Sequence, residues 1–450
     1  MLRIITLVAA LSFGIQALSE PIEAISPSDA GYDENKLKEL KNVAEELYQD
    51  GRIPNYVIAL YKNNKRFFTI AEGKTRLESE PDPRLPAPVA YLLKDGSDVA
   101  SDTIFHMASM TKPIVTTALL KLVEEGRVSL EDPLTKYFPE FEQMMVAPEG
   151  DFGNQFEPAK RQITILDLVR HTSGFSYPEA IAGFGDVGKL YGELGVFGDR
   201  TKNMEEHLSN LAELPLVAHP GESFNYSVSV DVIGALIEQV SGMDLATYLD
   251  EVLFEPLDMS DTGFALDVLQ VPRASDIYGS QPIQPEVPYR EIGRLDSSDI
   301  DWKLQNVIPA AFYQQAPEFY SGGGGLLSTA DDYAKYLMMI ANGGNYEGVN
   351  IIKPETTLIH TQPLITDISA LAQAFGDAAQ YMTFGGGFGI KNEPENLERV
   401  DYFFWAGAFN TFFWVDPADR SVGLFLTAHW PVQYNISDRL EQIVDEARIK

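Results

Sequence analysis

Ser109 stands three residues before Lys112 in the stretch Phe105-His106-Met107-Ala108-Ser109-Met110-Thr111-Lys112. Positions i and i+3 of a helix share a face, so the hydroxyl and the amine would lie side by side at a helix start. The positive end of the helix would favour an alkoxide or oxyanion forming at Ser109. A lysine in a dry pocket sheds its proton more readily than in water, and could then take the serine proton. The chemistry implied is attack by an activated hydroxyl. About one Ser-x-x-Lys pair arises by chance in a chain of this length, so the pair gains weight only beside other parts of a hydrolase site.

The element that must position the pair follows at once. Ile114, Val115, Ala118, Leu119, Leu122 and Val123 recur at a spacing that predicts a helix over 111–125 with one buried face. Gly126 is its C-cap, and Pro113 falls in the first turn, where its missing N–H does no harm. A second polar candidate, Tyr226, follows the Pro220-Gly221 turn. Beyond it Val230, Ile233, Gly234, Ile237 and Val240 make another buried stripe, ended by Gly242. Tyr226 therefore sits at a loop-to-helix junction, from which a side chain can be aimed into a cleft.

Around these lie a predicted helix at 33–50 and strands at 55–61 and 66–71, joined at Asn63-Asn64. Helical stretches are expected at 162–169, 203–213, 243–259, 329–342 and 436–449. Residues 177–202 are glycine-rich and read as a long loop of the size of a lid. Residues 266–320 read as irregular structure draped over a site. The run Ser321-Gly322-Gly323-Gly324-Gly325 lacks the lysine of a phosphate loop, which leaves tight backbone packing as its role. Strands at 399–406, 411–415 and 421–428 close the pattern, with a turn at Asp416-Pro417-Ala418-Asp419. The order predicts an antiparallel sheet built from both chain ends and flanked by helices. Residues 20–108 and 321–450 would be its two parts, and 109–320 a mostly helical inserted domain carrying the nucleophile helix.

The chain has 450 residues, 45% of them apolar, enough for a large core. It has no cysteine, which excludes thiol catalysis and cysteine-based zinc sites. With 66 acidic and 34 basic residues its net charge is −32. Such a surface repels nucleic acid and anionic lipid, and its plain role is solubility. No spacing of His and carboxylates suggests a metal, and no cofactor is expected. Met1-Leu2-Arg3, the apolar run over 4–18 and Ala17-Leu18-Ser19 before Glu20 predict a signal peptide over 1–19, cleaved near Ser19. The protein is then periplasmic or secreted. No later stretch is apolar enough to cross a bilayer.

Taken in order, Ser109-x-x-Lys112, Tyr226-Ser227-Val228 and Trp405-Ala406-Gly407 resemble the motifs of the serine β-lactamase and penicillin-binding protein superfamily. The likeness is nearest to class C β-lactamases and family VIII carboxylesterases, and runs from about residue 33 to the end. The 168–174 and 322–326 runs support it. The resemblance implies a β-lactamase-like α+β fold and assigns roles by position. Ser109 would be the acylated nucleophile, Lys112 would take or share its proton, and Tyr226 would serve as base or relay. The backbone N–H groups of Ser109 and Ala408 would form the oxyanion hole, worth on the order of 3 kcal/mol per donor. Val228, Trp405, Ala406 and Gly407 would line the substrate pocket.

Two departures set the expected substrate. Val228 replaces an asparagine and Trp405 the lysine of a Lys-Thr-Gly motif. Both remove polar groups that would contact a β-lactam, whereas an uncharged ester needs only nucleophile, base and oxyanion hole. The expected partner is thus a small-molecule ester. The alternatives are a β-lactamase or D-amino-acid peptidase acting on amides, and a non-catalytic ligand-binding relative. No Gly-x-Ser-x-Gly elbow is present, so His106 is structural, and His171 and His219 belong to turns and packing.

Overall fold

The computed structural model describes residues 21–449 apart from 78–82, 85–86, 88–94, 154, 180–182, 184, 283–299, 366–370, 372–380, 394–395, 431–433 and 435. The leader expected at 1–19 lies outside the described residues. Among those described, no helix is long and apolar enough to cross a membrane.

Strands β1 (Asn55–Lys62) and β2 (Lys65–Gly73) form a hairpin. Its two-residue turn, Asn63 and Asn64, has φ of 52° and 61°. Asparagine tolerates this left-handed conformation, which suits the twist of the strands. Five strands come from the other end of the chain: β3 (Met382–Phe384), β4 (Gly389–Glu393), β5 (Asn396–Gly407), β6 (Thr411–Asp416) and β7 (Ser421–Leu426). The sheet order is β3-β4-β5-β6-β7-β1-β2, antiparallel throughout. Val57 lies opposite Leu426 and Lys62 opposite Ser421, so the two chain ends are hydrogen-bonded into one sheet, as the sequence predicts.

Both faces of this sheet are covered. On β1, Tyr56, Ile58 and Leu60 pack with Leu40, Ala44 and Leu47 of helix α1 (Leu40–Gln49) and with terminal-helix residues Leu440, Ile443 and Val444. Val57, Ala59 and Tyr61 point the other way, into the larger core. Each such fully buried large side chain contributes roughly 1.5–3 kcal/mol. A charge at Ile58 or Ala59 would stand unpaired between two apolar layers.

Helix α2 (Thr111–Glu124) is buried at every position from Thr111 to Leu120, not on one face only. It packs against α3 (Ser229–Ser241), which ends at Gly242 with φ 79°. Helix α4 (Ala330–Ala341), capped by the Thr329 side chain, lies between the sheet and α2. Its Tyr333 hydroxyl donates to the Met110 carbonyl at 2.7 Å, tying it to the turn that carries Ser109. Helix α5 (Ser437–Glu446) closes the chain.

Two expectations are corrected. Residues 177–202 contain a helix, Gly185–Glu193. Residues 266–320 are not irregular throughout: Ile277–Pro282 pairs with Ile300–Ile308 on one side and with His429–Trp430 on the other. The partner is distant in sequence, and Gly279 sits where a Cβ would lie 2.7 Å from the Val307 side chain, so local alternation hides the strand.

Candidate active site

Phe105–His106 is a short strand paired with Leu327–Ser328, and it delivers the chain to a turn in which Ala108 has φ 46°. A non-glycine residue in this region costs roughly 1 kcal/mol or more and persists only when its surroundings hold it. Here the Ala108 N–H donates to Nδ1 of His106 at 3.1 Å. Burial, reinforced by the nearby Arg200 charge, pushes His106 down to about 3, so the ring is neutral and its nitrogen can accept. His106 therefore shapes the turn before Ser109. Ser109 follows in a single 3-10 turn, Ala108–Met110, that runs into α2.

One turn later, Nζ of Lys112 lies 3.2 Å from Oγ of Ser109. It also donates to the Gly323 carbonyl at 2.6 Å. It stands 4.7 Å from the ring centroid of Tyr226 and 5.4 Å from that of Tyr177. The structure thus brings Ser109, Lys112 and Tyr226 to one place from two distant segments. Lys112 is 1% exposed, so these contacts stand in place of water.

The loop that carries Tyr226 rests on the 168–174 run. The Asn225 N–H donates to the His171 carbonyl at 2.8 Å, and that of Gly221 to the Thr172 carbonyl at 2.7 Å. The Ser227 N–H meets Nδ1 of His171 at 3.3 Å. Burial holds His171 well below its ordinary value, with the Lys112 charge adding to this, so it too is a neutral acceptor. Beneath it Asp167 accepts from Arg161, Arg170 and Thr172. Burial pushes the Asp167 carboxyl up, but Arg161, Thr164 and Thr172 outweigh it and hold it at about 2.

The 321–326 run closes the other side. The Leu326 N–H donates to the Thr111 hydroxyl at 3.0 Å, and the Met107 N–H to the Leu326 carbonyl at 2.8 Å. A Cβ on Gly323 would lie 2.2 Å from Oδ2 of Asp231, which explains the glycine there. This is the tight backbone packing expected from the sequence.

Asp231 is a site residue that the sequence did not single out. It is 2% exposed in the first turn of α3. It accepts the Ser321 hydroxyl at 2.6 Å and the Gly323 N–H at 3.0 Å. It so fixes Gly323, the residue whose carbonyl holds Lys112. Burial raises the Asp231 carboxyl, partly offset by the Lys112 charge and by these hydrogen bonds. The available signal was one acid between Val230 and Val232 in an apolar stripe. Tyr177 was also missed, because its neighbours read as loop. Its ring lies 5.5 Å from that of Tyr226, and burial, then Tyr226 and Asp231, push its phenol well up.

The end of β5 meets the turn that carries Ser109. The Thr411 hydroxyl donates to the Met107 carbonyl at 3.3 Å, and a Cβ on Gly407 would lie 2.3 Å from that same oxygen. Ala408 and Ser109 both line a cavity of about 690 Å³. Aromatic residues dominate its wall, among them Tyr177, Phe197, Phe312, Tyr313 and Phe409. Val228, Trp405, Ala406 and Gly407, expected on the substrate wall, do not line this cavity. Val228 is fully buried at the start of α3, Gly407 is buried against Met107 and Ala406 is exposed. Trp405 adjoins the cluster elsewhere, with its ring 5.6 Å from that of Tyr226 and 5.4 Å from that of Phe384.

The chain is similar to several known proteins over most of its length. A protein of Mycobacterium tuberculosis is 31% identical over 347 residues, covering 75% of this chain and 80% of its own. The esterase EstB of Burkholderia gladioli is 30% identical over 350 residues, covering 73% of this chain and 77% of its own. Among solved structures, EstCE1, described as a hydrolase with promiscuous acyltransferase activity, superposes with a TM-score of 0.69 at 21% identity. That match covers 92% of this chain and 99% of EstCE1. The profile of the family described as Beta-lactamase matches residues 40–444, and the chain belongs to that family.

Proposed function

We propose that this protein is an exported serine hydrolase that forms an acyl-enzyme on Ser109 and acts on small or short-chain carboxylic esters. The observation that carries the reading is the 3.2 Å approach of Lys112 Nζ to Ser109 Oγ beside the Tyr226 ring. Oγ attacks the ester carbonyl carbon while its proton passes to Lys112, directly or through the Tyr226 phenol. The carbonyl oxygen becomes an oxyanion held by the N–H groups of Ser109 and Ala408. The carbon–oxygen bond to the alcohol then breaks, and the alcohol leaves with the proton. Water, giving up a proton to the same groups, hydrolyses the acyl-enzyme and restores Ser109.

The preference for esters over β-lactams rests on what positions 228 and 405 lack: neither Val228, buried at the start of α3, nor Trp405, beside the Tyr226 ring, supplies the asparagine amide or the lysine cation that the resembled motifs would bring to a β-lactam. The esterase EstB among the relatives supports the same class of substrate. The test is a p-nitrophenyl butyrate assay beside a nitrocefin assay. We expect ester turnover that Ser109→Ala abolishes, with little nitrocefin turnover. Fast nitrocefin hydrolysis, or ester turnover that survives Ser109→Ala, contradicts the reading.

A further inference from the structure

Arg200 stands in the wall of the cavity that Ser109 lines. Its guanidinium carbon lies 4.9 Å from the ring centroid of Phe312 and 5.3 Å from that of Tyr313. One N–H donates to the Gln315 carbonyl at 2.9 Å. Half-buried, it feels burial first and the Tyr313 phenol second, and no carboxylate acts on it among the described residues. Of the acids nearby, Glu318, whose N–H donates to the Arg200 carbonyl at 3.1 Å, has an exposed side chain, and two others are committed elsewhere. Asp199 accepts from the Thr201 N–H and hydroxyl at 3.0 and 2.7 Å. Asp231 serves Ser321 and Gly323. His106, the neighbouring ring, is neutral.

In a chain of net charge −32, surface cations find acids readily, as Arg66 does with Asp331 and Arg273 with Asp261. Among the described residues, Arg200 instead has one acceptor for its five donors, and it stands in the cavity wall. Contact with two rings set 81° apart confines the guanidinium, whose planar fork suits paired hydrogen bonds to a carboxylate. The acidic surface opposes anions from afar, but salt screens that field beyond about 10 Å at 0.1 M, while Arg200 would act at contact.

We propose that Arg200 forms an anion subsite in the catalytic cavity, and that preferred esters carry a carboxylate remote from the scissile carbonyl. This rests on the ester-hydrolase reading above. The carboxylate could belong to the acyl part, as in a monoester of a dicarboxylic acid, or to the alcohol part. Paired substrates separate the two: phenyl hydrogen glutarate against phenyl valerate, and 4-carboxyphenyl butyrate against phenyl butyrate.

We expect one anionic ester to have a KM about ten- to a hundredfold below that of its neutral partner, the range of a charge-assisted hydrogen-bond pair. Arg200→Ala should erase this ratio, and Arg200→Lys should keep part of it, because lysine supplies charge without the fork. Arg200→Gln, which can still donate to the Gln315 carbonyl, should erase it likewise and serves should the alanine variant not fold. Equal KM values within both pairs in the wild type overturn the proposal, as does a preference that survives loss of the Arg200 charge. Turnover of phenyl butyrate alone upholds the hydrolase reading whatever the anion result. Should no ester be turned over, calorimetric binding of the same pairs to Ser109→Ala decides the anion subsite. A ten- to hundredfold Kd ratio, lost on adding Arg200→Ala, supports it, and its absence overturns it.

Discussion

Lys112 spends its amine on the Ser109 hydroxyl, the Gly323 carbonyl and the faces of two tyrosines, with almost no surface left to water. A group held this way acts only as part of its cluster. Ser109→Ala and Lys112→Ala should each lower kcat on p-nitrophenyl butyrate by about a thousandfold or more, and the double variant little further. Multiplying effects in that cycle would mean that the two work independently, against the account. Spacing made Ser109 and Lys112 a candidate pair at a helix start, and the other motifs of the resemblance gave that pair its weight. Tyr226 was legible from its place at a helix junction. Asp231 and Tyr177 were not. The first hides in an apolar stripe, and its role exists only through the Gly323 peptide 92 positions away. The second lies where glycines blur the pattern.

At the scale of elements, the site is a junction of segments with no space between them. Gly407 ends β5 against the Met107 carbonyl, two residues before Ser109. Gly407→Ala would place its Cβ 2.2 Å from the Thr411 hydroxyl and 2.3 Å from that carbonyl, which is backbone and cannot swing aside. The strand end must then move away from Ser109. The expected result is a loss of about 1–3 kcal/mol in thermal or urea denaturation and at least a tenfold fall in kcat. An unchanged kcat would show that this contact does not position the site. The hairpin at Asn63-Asn64, α2, α3, α4 and the last three sheet strands were visible in sequence, since each carries a long periodic stripe or a turn signal. Strands β3 and β4 were not, because Gly385, Gly386 and Gly387 interrupt them. The pairing of 277–282 with 300–308 and 429–430 was equally invisible, since strand pairing is decided by partners that local pattern does not contain.

Across the whole molecule, the sheet joins Val57 to Leu426, and α5 seals it with one buried acid. Burial pushes the Glu441 carboxyl up to about 8, against the pull of Tyr402 and of Lys391 at 3.6 Å. Unfolded, it ionises near its ordinary 4.5. Between these values the folded chain keeps a proton that the unfolded chain has lost, so rising pH costs stability across that window. Glu441→Gln should flatten the fall of the urea midpoint between pH 5 and pH 8, and a variant slope equal to the wild type's would contradict the assignment. The joining of the two chain ends was legible because strands cluster at both and helices between, whereas the acid under α5 is a property of packing that no periodicity reveals. The central claim, that one hydroxyl in the whole chain is activated, is tested most directly by treating the intact protein with a fluorophosphonate and mapping the adduct by mass spectrometry. The account predicts a single adduct on Ser109, absent from Ser109→Ala; no adduct, or one on another residue, would contradict it.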